Sequence, residues 1–288
     1  MSTFGRSATV TIALLTFREA SRRKILLAAL VLGLVFLLIY ALGFHYITIE
    51  IEKNSTSIRL IELNEMRNFM LMAGMYVVNF LAAIMTVLTS VDTLSGEIAS
   101  GTIHTLVSKP VRRWEVVLGK WLGFAVMITL YLLLMGGGVM GYIYLRSGYT
   151  APHPLNALAL IWLNDLVLLS VSLLGGAVLS TLANGVLVFG LYGIAFIGGW
   201  IEQIGSFLSN ASAGQTAVNI GVITSLIMPS EALWKRAAHE MQSALISALG
   251  FSPFSSSTYP SAIMLVYAIL YAAFALWLAI HQFNRRDL

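Results

Sequence analysis

Two short fragments of the sequence contain residue types that bind or hydrolyse nucleotides. Gly119–Lys120 has the Gly-Lys pair that ends a phosphate-binding loop, and Leu94–Glu97 reads LSGE, part of the signature loop of some ATPases. In the complete loop, G-x-x-x-x-G-K-[ST], backbone N–H groups surround the phosphate and the hydroxyl binds Mg²⁺. Here Trp121 follows the pair and Trp114 stands where the first glycine is needed. LSGE also lacks the further Gly and Gln of the signature, so we predict that this chain does not itself bind ATP.

Other catalytic patterns are equally incomplete. The five histidines are scattered without the paired spacing of metal ligands, and there is no cysteine to act as a thiolate ligand or nucleophile. Neither a G-x-S-x-G nor an H-E-x-x-H motif occurs. We therefore treat an enzyme as the weaker hypothesis and predict no metal site and no cofactor on this chain.

One acidic residue, Asp165, falls inside a long apolar run. An ionisable side chain within a membrane is a functional candidate by default. Its position suggests that it lies about one turn from the end of a span, beside Trp162, where it could reach interfacial water. A structural role and a place on a substrate pathway, together with Asn79 of another apolar run, both remain open.

The composition places the chain among integral membrane proteins. Hydrophobic residues make up 58% and charged residues only 10% of the 288 positions, against about 25% charged in soluble domains. The mean hydropathy is +0.84. The net charge of +4 does not favour nucleic acid as a partner, because the basic residues cluster at the ends of apolar segments.

Six apolar segments are candidate membrane spans, since about 20 apolar residues cross the hydrocarbon core of a bilayer. We expect an all-α protein with a single membrane domain over residues 1-288. The predicted spans are Ile25–Phe44, Met70–Val91, Trp121–Leu145, Ile161–Ala183, Gly185–Ile201 and Ser261–His281, with Asn184–Gly185 as a tight turn.

Loop charges predict the orientation of these spans. With six spans, eleven of the 17 basic residues lie on the side of the two termini and of the loop at 92-118. Lys and Arg favour the cytoplasmic side, so both termini and this loop are predicted to be cytoplasmic in a plasma membrane protein. The apolar stretch Ala217–Met228 is too short to cross alone, and the sequence leaves open whether it is re-entrant. A seventh span there would place Arg285 and Arg286 outside.

Two further segments have the pattern of amphipathic helices. Residues 1-24 mix apolar and basic positions, which fits either an interfacial helix or a basic topogenic tail. In the predicted outer loop, 202-260, Ser230 is expected to cap a helix in which Leu233, Ala237 and Met241 recur every four residues.

The loop at 92-118 resembles the cytoplasmic loop of type-2 ABC transporter permeases, the exporter-type membrane subunits with six spans. The family pattern is E-x-x-x-G-T, then a Leu-rich turn, P-x-x-R, and Gly-Lys before the third span. The matching residues are Glu97, Gly101, Thr102, Leu106, Pro110, Arg113, Gly119 and Lys120. The C-terminal Phe283–Leu288, an aromatic followed by basic residues and an acid, is similar to the family's end.

The resemblance implies a division of labour between subunits. The permease pairs with a second copy or a homologue, and separate ABC ATP-binding subunits hold ATP and Mg²⁺. The loop after the second span forms a coupling helix that docks on those subunits. The residues implied in coupling are Glu97, Gly101, Thr102, Leu106, Pro110 and Arg113; for Glu97, docking and ordering of the loop are both considered.

Basic and aromatic residues near the ends of the spans are predicted to anchor the chain at the lipid interface. They are Arg22, Arg23, Lys24, Arg112, Lys120 and Trp121. For Arg112 and Arg113, a purely topological role is the alternative.

The sequence thus predicts a permease subunit that moves a substrate across the plasma membrane, outward, with ATP hydrolysed by a partner. A membrane anchor or assembly factor for a cytoplasmic partner, and an ATP-independent carrier or channel, are the alternatives.

Overall fold

The computed structural model describes residues 8–54, 60–101, 111–207, 212–243, 245 and 259–286. Every regular element in this part of the chain is helical. In chain order the helices are α1 (Ala8–Ser21), α2 (Lys24–Asn54), α3 (Leu60–Ser90), α4 (Ser95–Ala99), α5 (Arg113–Ser147), α6 (Pro154–Val178), α7 (Thr181–Phe207), α8 (Ser212–Ile227), α9 (Ser230–Met241) and α10 (Ala262–Arg285).

Six of these helices are long and apolar enough to cross a membrane, which confirms the predicted fold class. They are α2, α3, α5, α6, α7 and α10, and each is longer than the apolar run that predicted it. All backbone hydrogen bonds of a helix close within it, which is why helices suit a medium without water. Apolar side chains such as Leu27, Leu38 and Leu270 remain exposed on the outside, where lipid covers them. The protein is a multi-pass membrane protein.

Two ends of the bundle can be distinguished by their contacts. The terminal end gathers α1, α4, the start of α5, the connection between α6 and α7, and the C-terminal end of α10. The distal end gathers the start of α3, the connection between α5 and α6, and the end of α9, where Asn68 donates hydrogen bonds to Tyr149 and to the carbonyl of Met241. α6 lies at the centre, with most of its middle buried.

The turn between the fourth and fifth spans lies at Leu179–Ser180, so the predicted turn at Asn184–Gly185 is wrong. Asn-Gly commonly marks turns, but here Asn184 belongs to the first turns of α7, and its backbone N–H donates to the Ser180 carbonyl at 2.8 Å. Its side-chain amide is used instead to bond neighbouring helices, donating to the carbonyls of Val91 and Ser172.

The N-terminal helix α1 packs against the protein itself, along α5. Thr9, Ile12, Thr16 and Ala20, spaced three and four residues apart, form its buried face. Two glycines of α5 receive this face: a Cβ added to Gly123 would lie 2.7 Å from the Ala13 carbonyl oxygen, and one added to Gly119 would meet Ile12. Glycine allows helices to approach closely in lipid, where apolar burial alone gives little drive for association.

After the fifth span the chain folds back. α8 runs antiparallel beside α7, with Gly205 against Ala217 and Gly198 against Thr224. The chain then bends by 106° into α9. We call α8 and α9 together the distal hairpin. Its bend lies within reach of α10, because the Tyr271 hydroxyl donates to the Ile227 carbonyl at 3.0 Å. This backward fold is compatible with a re-entrant segment.

α9 begins where the sequence predicts, but its N-terminus is not capped as expected. Pro229 is the N-cap residue, and Ser230 is the first helical residue, with a buried hydroxyl that makes no capping hydrogen bond. Leu233, Ala237 and Met241 are all buried, as their spacing predicts. Lys235, on the expected polar face, is buried too, because it pairs with Glu202 of α7.

Glycine packing between α1 and α5 can be tested with a matched pair of substitutions on one helix. Gly123→Ala places a methyl group against the α1 backbone, and we expect it to reduce stability by about 1–3 kcal/mol. Gly137→Ala adds the same group to an exposed position with no atom within 4 Å. There we expect no loss, or a gain of up to about 1 kcal/mol from helix propensity. Thermal unfolding of the detergent-solubilised variants, followed by tryptophan fluorescence, measures both; equal midpoints would contradict the packing argument.

Candidate functional site

The residues after α3 form a short ordered segment at the terminal end, Asp92–Gly101, which we call the coupling segment. α3 ends at Ser90, a tight turn follows, and α4 occupies Ser95–Ala99. Gly101 has φ +71°, a left-handed conformation that an L side chain rarely adopts. Its N–H donates to the Ile98 carbonyl, so a glycine at this position allows α4 to stop and the chain to turn away.

An ion pair fixes the coupling segment to α5. The Lys120 ammonium contacts the Glu97 carboxylate; their side chains are 4% and 16% exposed. Burial of a lysine is costly unless a carboxylate compensates for its lost hydration. The structure therefore differs from the predicted interfacial position of Lys120. It also turns Glu97 toward the protein, which favours the loop-ordering role over direct docking.

A second set of polar contacts ties the segment to α1 and α7. Arg23, at the end of the α1–α2 connection, contacts Asp92 at 3.4 Å and Glu19 at 2.7 Å. The Asp92 carboxylate also accepts a hydrogen bond from Thr181 at 3.1 Å, and Ser95 and Thr181 are joined at 2.8 Å. Arg23 thus serves the protein's own contacts, and its predicted role as a lipid anchor stays a prediction.

Small residues let the segment lie directly on α6. A Cβ added to Gly176 would lie 3.4 Å from the Leu94 Cβ, and Leu94 itself is fully buried. The preceding residue, Gly175, leaves room for Asn184, whose Oδ1 would be 2.1 Å from an added Cβ. Helices α6 and α7 therefore meet the coupling segment without a gap.

The C-terminal end of α10 closes the same surface. Arg113 Nη1 donates to the carbonyls of Asn284 at 3.1 Å and Arg286 at 2.7 Å. Arg286 in turn donates to the Ala177 carbonyl at the end of α6. Arg113, predicted to act in coupling, thus joins the start of α5 to the end of α10, and Arg286 joins the end of α10 to the end of α6.

The remaining predicted residues fall into two groups. Thr102, Leu106 and Pro110 lie outside the described residues. Arg22, Lys24 and Arg112 are exposed, and Arg112 also begins α5, where its N–H donates to Glu115 at 2.8 Å. Trp121 is half-buried and donates through its indole N–H to Ser170 of α6 at 3.0 Å. Their anchoring role stays a prediction.

Asp165 does not lie near the end of a helix, contrary to expectation. It is the twelfth residue of α6, because that helix begins at Pro154 and not at Ile161. It is fully buried, and neither carboxylate oxygen has a hydrogen-bond partner among the described residues. Next to it, Asn164 donates to Asn79 at 3.4 Å. Asn79 and Asn164 are thus paired inside the bundle, Asp165 follows Asn164 in the chain, and the pathway role of Asp165 and Asn79 stays a prediction.

Sequence reasoning missed Asp92, Thr181 and Asn184, which carry much of the network. Each is a small polar residue next to the predicted end of a span, and many such residues simply face water. Gly96 is a usable signal, because a glycine four residues after an aspartate leaves space for the carboxylate. A Cβ added to Gly96 would lie 2.2 Å from Asp92 Oδ1.

The contacts at this site join helices to one another. In the part of the chain that is described, no group of three acidic or histidine residues could hold a metal ion. What the site does provide is a small exposed tip, Ala99 and Ser100, whose base is fixed to α1, α5, α6 and α7. A force applied at the tip reaches four helices.

The family model of ABC-2 family transporter proteins matches residues 10–288, almost the whole chain. The chain belongs to the ABC-2 transporter family. No curated protein matches it. This ABC-2 membership supports a permease subunit of an ABC transporter and implies an ATP-binding partner and a lipid bilayer.

The Glu97–Lys120 pair can be tested by a double-mutant cycle. Glu97→Gln and Lys120→Met each leave a buried partner without its counter-charge, and each is expected to cost about 3–5 kcal/mol of stability. Because both lose the same contact, the double variant should fall short of the sum by about 1–3 kcal/mol.

Lys24→Met, which removes an exposed lysine, serves as the control and should change stability by less than about 0.5 kcal/mol. Thermal or denaturant unfolding in detergent measures the four variants. Strict additivity of the two single effects would show that Glu97 and Lys120 do not stabilise each other.

Proposed function

We propose that this chain is the membrane-spanning permease subunit of an ABC exporter. It moves a substrate across the plasma membrane with ATP and Mg²⁺ bound on a separate ATP-binding subunit. The permease works as a pair, with a second copy or a homologue as its partner. ABC-2 family membership supports the permease role, and the division between subunits accords with a chain that has no complete phosphate-binding loop.

The observation that carries the proposal is the attachment of the coupling segment. Glu97 binds α5 through Lys120, and Asp92 binds α1 through Arg23 and α7 through Thr181. A segment held at so many points cannot move without its neighbours, since packed helices respond as bodies and not as a fluid. Docking of an ATPase on Ala99, Ser100 and the residues after them would therefore displace helices on both sides of α6.

The distribution of basic residues supports a cytoplasmic terminal end. Arg22, Lys24 and Arg112 are exposed there, and Lys and Arg near the ends of spans favour the cytoplasmic side. In that orientation the coupling segment faces the compartment that contains ATP. A membrane anchor or assembly factor would share this orientation, but it would not need a segment joined to several spans. An ATP-independent carrier would not need a partner.

The orientation can be tested directly, because the chain has no cysteine. Ser100→Cys places a single thiol on the exposed tip of the coupling segment, and Thr150→Cys places one on an exposed position of the distal end. With a membrane-impermeant maleimide, we expect Thr150→Cys to react in intact cells and Ser100→Cys only in inverted vesicles. Labelling of Ser100→Cys in intact cells would overturn the proposed coupling from the cytosol.

The partnership is tested at Gly101, where the left-handed conformation costs an L residue about 1–2 kcal/mol. Gly101→Ala should distort the exit of α4 and reduce by severalfold the amount of ABC ATPase that co-purifies with the tagged chain. Gly148→Ala introduces the same backbone strain at the distal end, where φ is +68°, and should leave recovery unchanged. Quantitative mass spectrometry of the purified complexes measures the amount of ABC ATPase recovered with each variant. Recovery of the wild-type chain with no ATPase subunit, or ATP hydrolysis by the chain alone, would refute the proposal.

A further inference from the structure

A cavity of about 390 Å³ lies at the distal end, outside the network that joins the coupling segment to the bundle. It is bounded by α7, by the distal hairpin and by the start of α10. This volume lies within the range of small-molecule binding sites in proteins, roughly 300–1,000 Å³. Most of its wall is aliphatic, from residues such as Val218, Val222, Leu226 and Met264.

The polar part of the wall is a buried ion pair. Lys235 Nζ of α9 lies 2.6 Å from Glu202 Oε2 of α7, and the two side chains are 4% and 12% exposed. Glu202 fits there because Gly221 of α8 has no side chain; an added Cβ would lie 2.3 Å from the Glu202 Cβ. The two charges cancel at the cavity wall.

The lysine retains hydrogen-bonding capacity toward the cavity. An ammonium group has three N–H donors, and Glu202 Oε2 is the one acceptor beside Lys235 Nζ within the described residues, so donors remain for another acceptor. Buried donors without acceptors are costly, and proteins rarely leave them unsatisfied. A ligand that fits this wall therefore brings an oxygen acceptor to Lys235 and leaves the ion pair intact.

The cavity also borders the lipid-facing surface. Val222 is 49% and Leu226 is 50% exposed although both line the cavity, and Ile263 and Val266 of α10 expose their side chains nearby. An apolar rim of this kind admits molecules from the hydrocarbon phase more readily than from water.

We propose that this cavity is a binding site for a membrane amphipath, a molecule with an aliphatic chain and a polar end of carbonyl or phosphate oxygens. The chain lies along Val218, Val222 and Leu226, and an oxygen of the polar end accepts a hydrogen bond from Lys235. Glycerophospholipids have both parts and are present at high concentration beside the opening. Binding requires neither ATP nor a partner subunit, so the site does not depend on the function proposed above.

The proposal is tested with purified protein, stripped of loosely held lipid by detergent and then exposed to phosphatidylglycerol. Native mass spectrometry counts the phospholipid molecules that each chain retains. We expect the wild type to retain one. Val222→Trp fills the cavity and should abolish retention, whereas Ile223→Trp, on the neighbouring residue with 57% exposure and outside the cavity, should not.

The polar contact is tested with the double variant Glu202→Gln/Lys235→Gln, which removes both charges and so leaves no buried charge alone. Loss of the ammonium donor should weaken retention by about tenfold. Lys53→Gln, which removes an exposed lysine of α2 outside the cavity wall, is the control and should keep the wild-type value.

Some outcomes would overturn the proposal. One is a wild type that retains no lipid. Another is equal loss from Val222→Trp and Ile223→Trp, which would indicate binding on the general lipid-facing surface. Unchanged retention in Glu202→Gln/Lys235→Gln would exclude Lys235 as the donor. None of these measurements involves nucleotide or an ATPase subunit. A negative result would therefore overturn the lipid site alone, whereas the permease proposal is tested by cysteine labelling and co-purification.

Discussion

A lysine ammonium buried among membrane helices needs a carboxylate beside it, and at the terminal end Lys120 has Glu97. This requirement determines much else. α4 must lie against α5 to bring the two groups together, and the turn after Ser90 must be tight enough to allow it. With α4 in that place, Asp92 comes within reach of Arg23 and Thr181. The coupling segment is thus held from its base, while Ala99 and Ser100 are exposed at its tip.

The bundle also depends on glycine residues where its helices pack closely. In lipid, helices associate through close packing and interhelical hydrogen bonds, because apolar burial gives no advantage over contact with acyl chains. α1 approaches α5 over Gly119 and Gly123, and Asn184 reaches between helices because Gly175 leaves space for it. Polar side chains in the bundle consequently bond to backbone carbonyls and to each other. Asp165 and Thr86 are exceptions, since neither side chain has a hydrogen-bond partner within the described residues.

The sequence predicted the helices well and the contacts between them poorly. Hydropathy indicated all six spans because each is determined by its own residues and by the thickness of a bilayer. The end of the fourth span was wrong because Asn184–Gly185 has turn-forming residues, and no local rule shows that the Asn184 amide is needed by Val91 and Ser172.

The positions of the lysines could not be predicted for a related reason. Lys120 and Lys235 were both expected at exposed positions, since single lysines near the end of an apolar run usually reach water or lipid headgroups. Their partners, Glu97 and Glu202, lie on other helices, and only tertiary packing brings them together. An ion pair between helices depends on the distance between them, and the spacing of residues along one helix does not predict that distance. The family pattern, by contrast, drew attention to the loop in which Glu97 lies, and the coupling role of this loop stays a prediction.

α7 is a single unbroken helix that connects the two ends of the molecule. Its first residue, Thr181, is bonded to Asp92 and Ser95, and its last turns carry the distal hairpin through Gly198, Glu202 and Gly205. At 1.5 Å per residue its 27 residues span about 40 Å. Such a rod acts as a lever. If it pivots near Thr181, a tilt of about 5° shifts its opposite end by about 3.5 Å, more than the diameter of a water molecule.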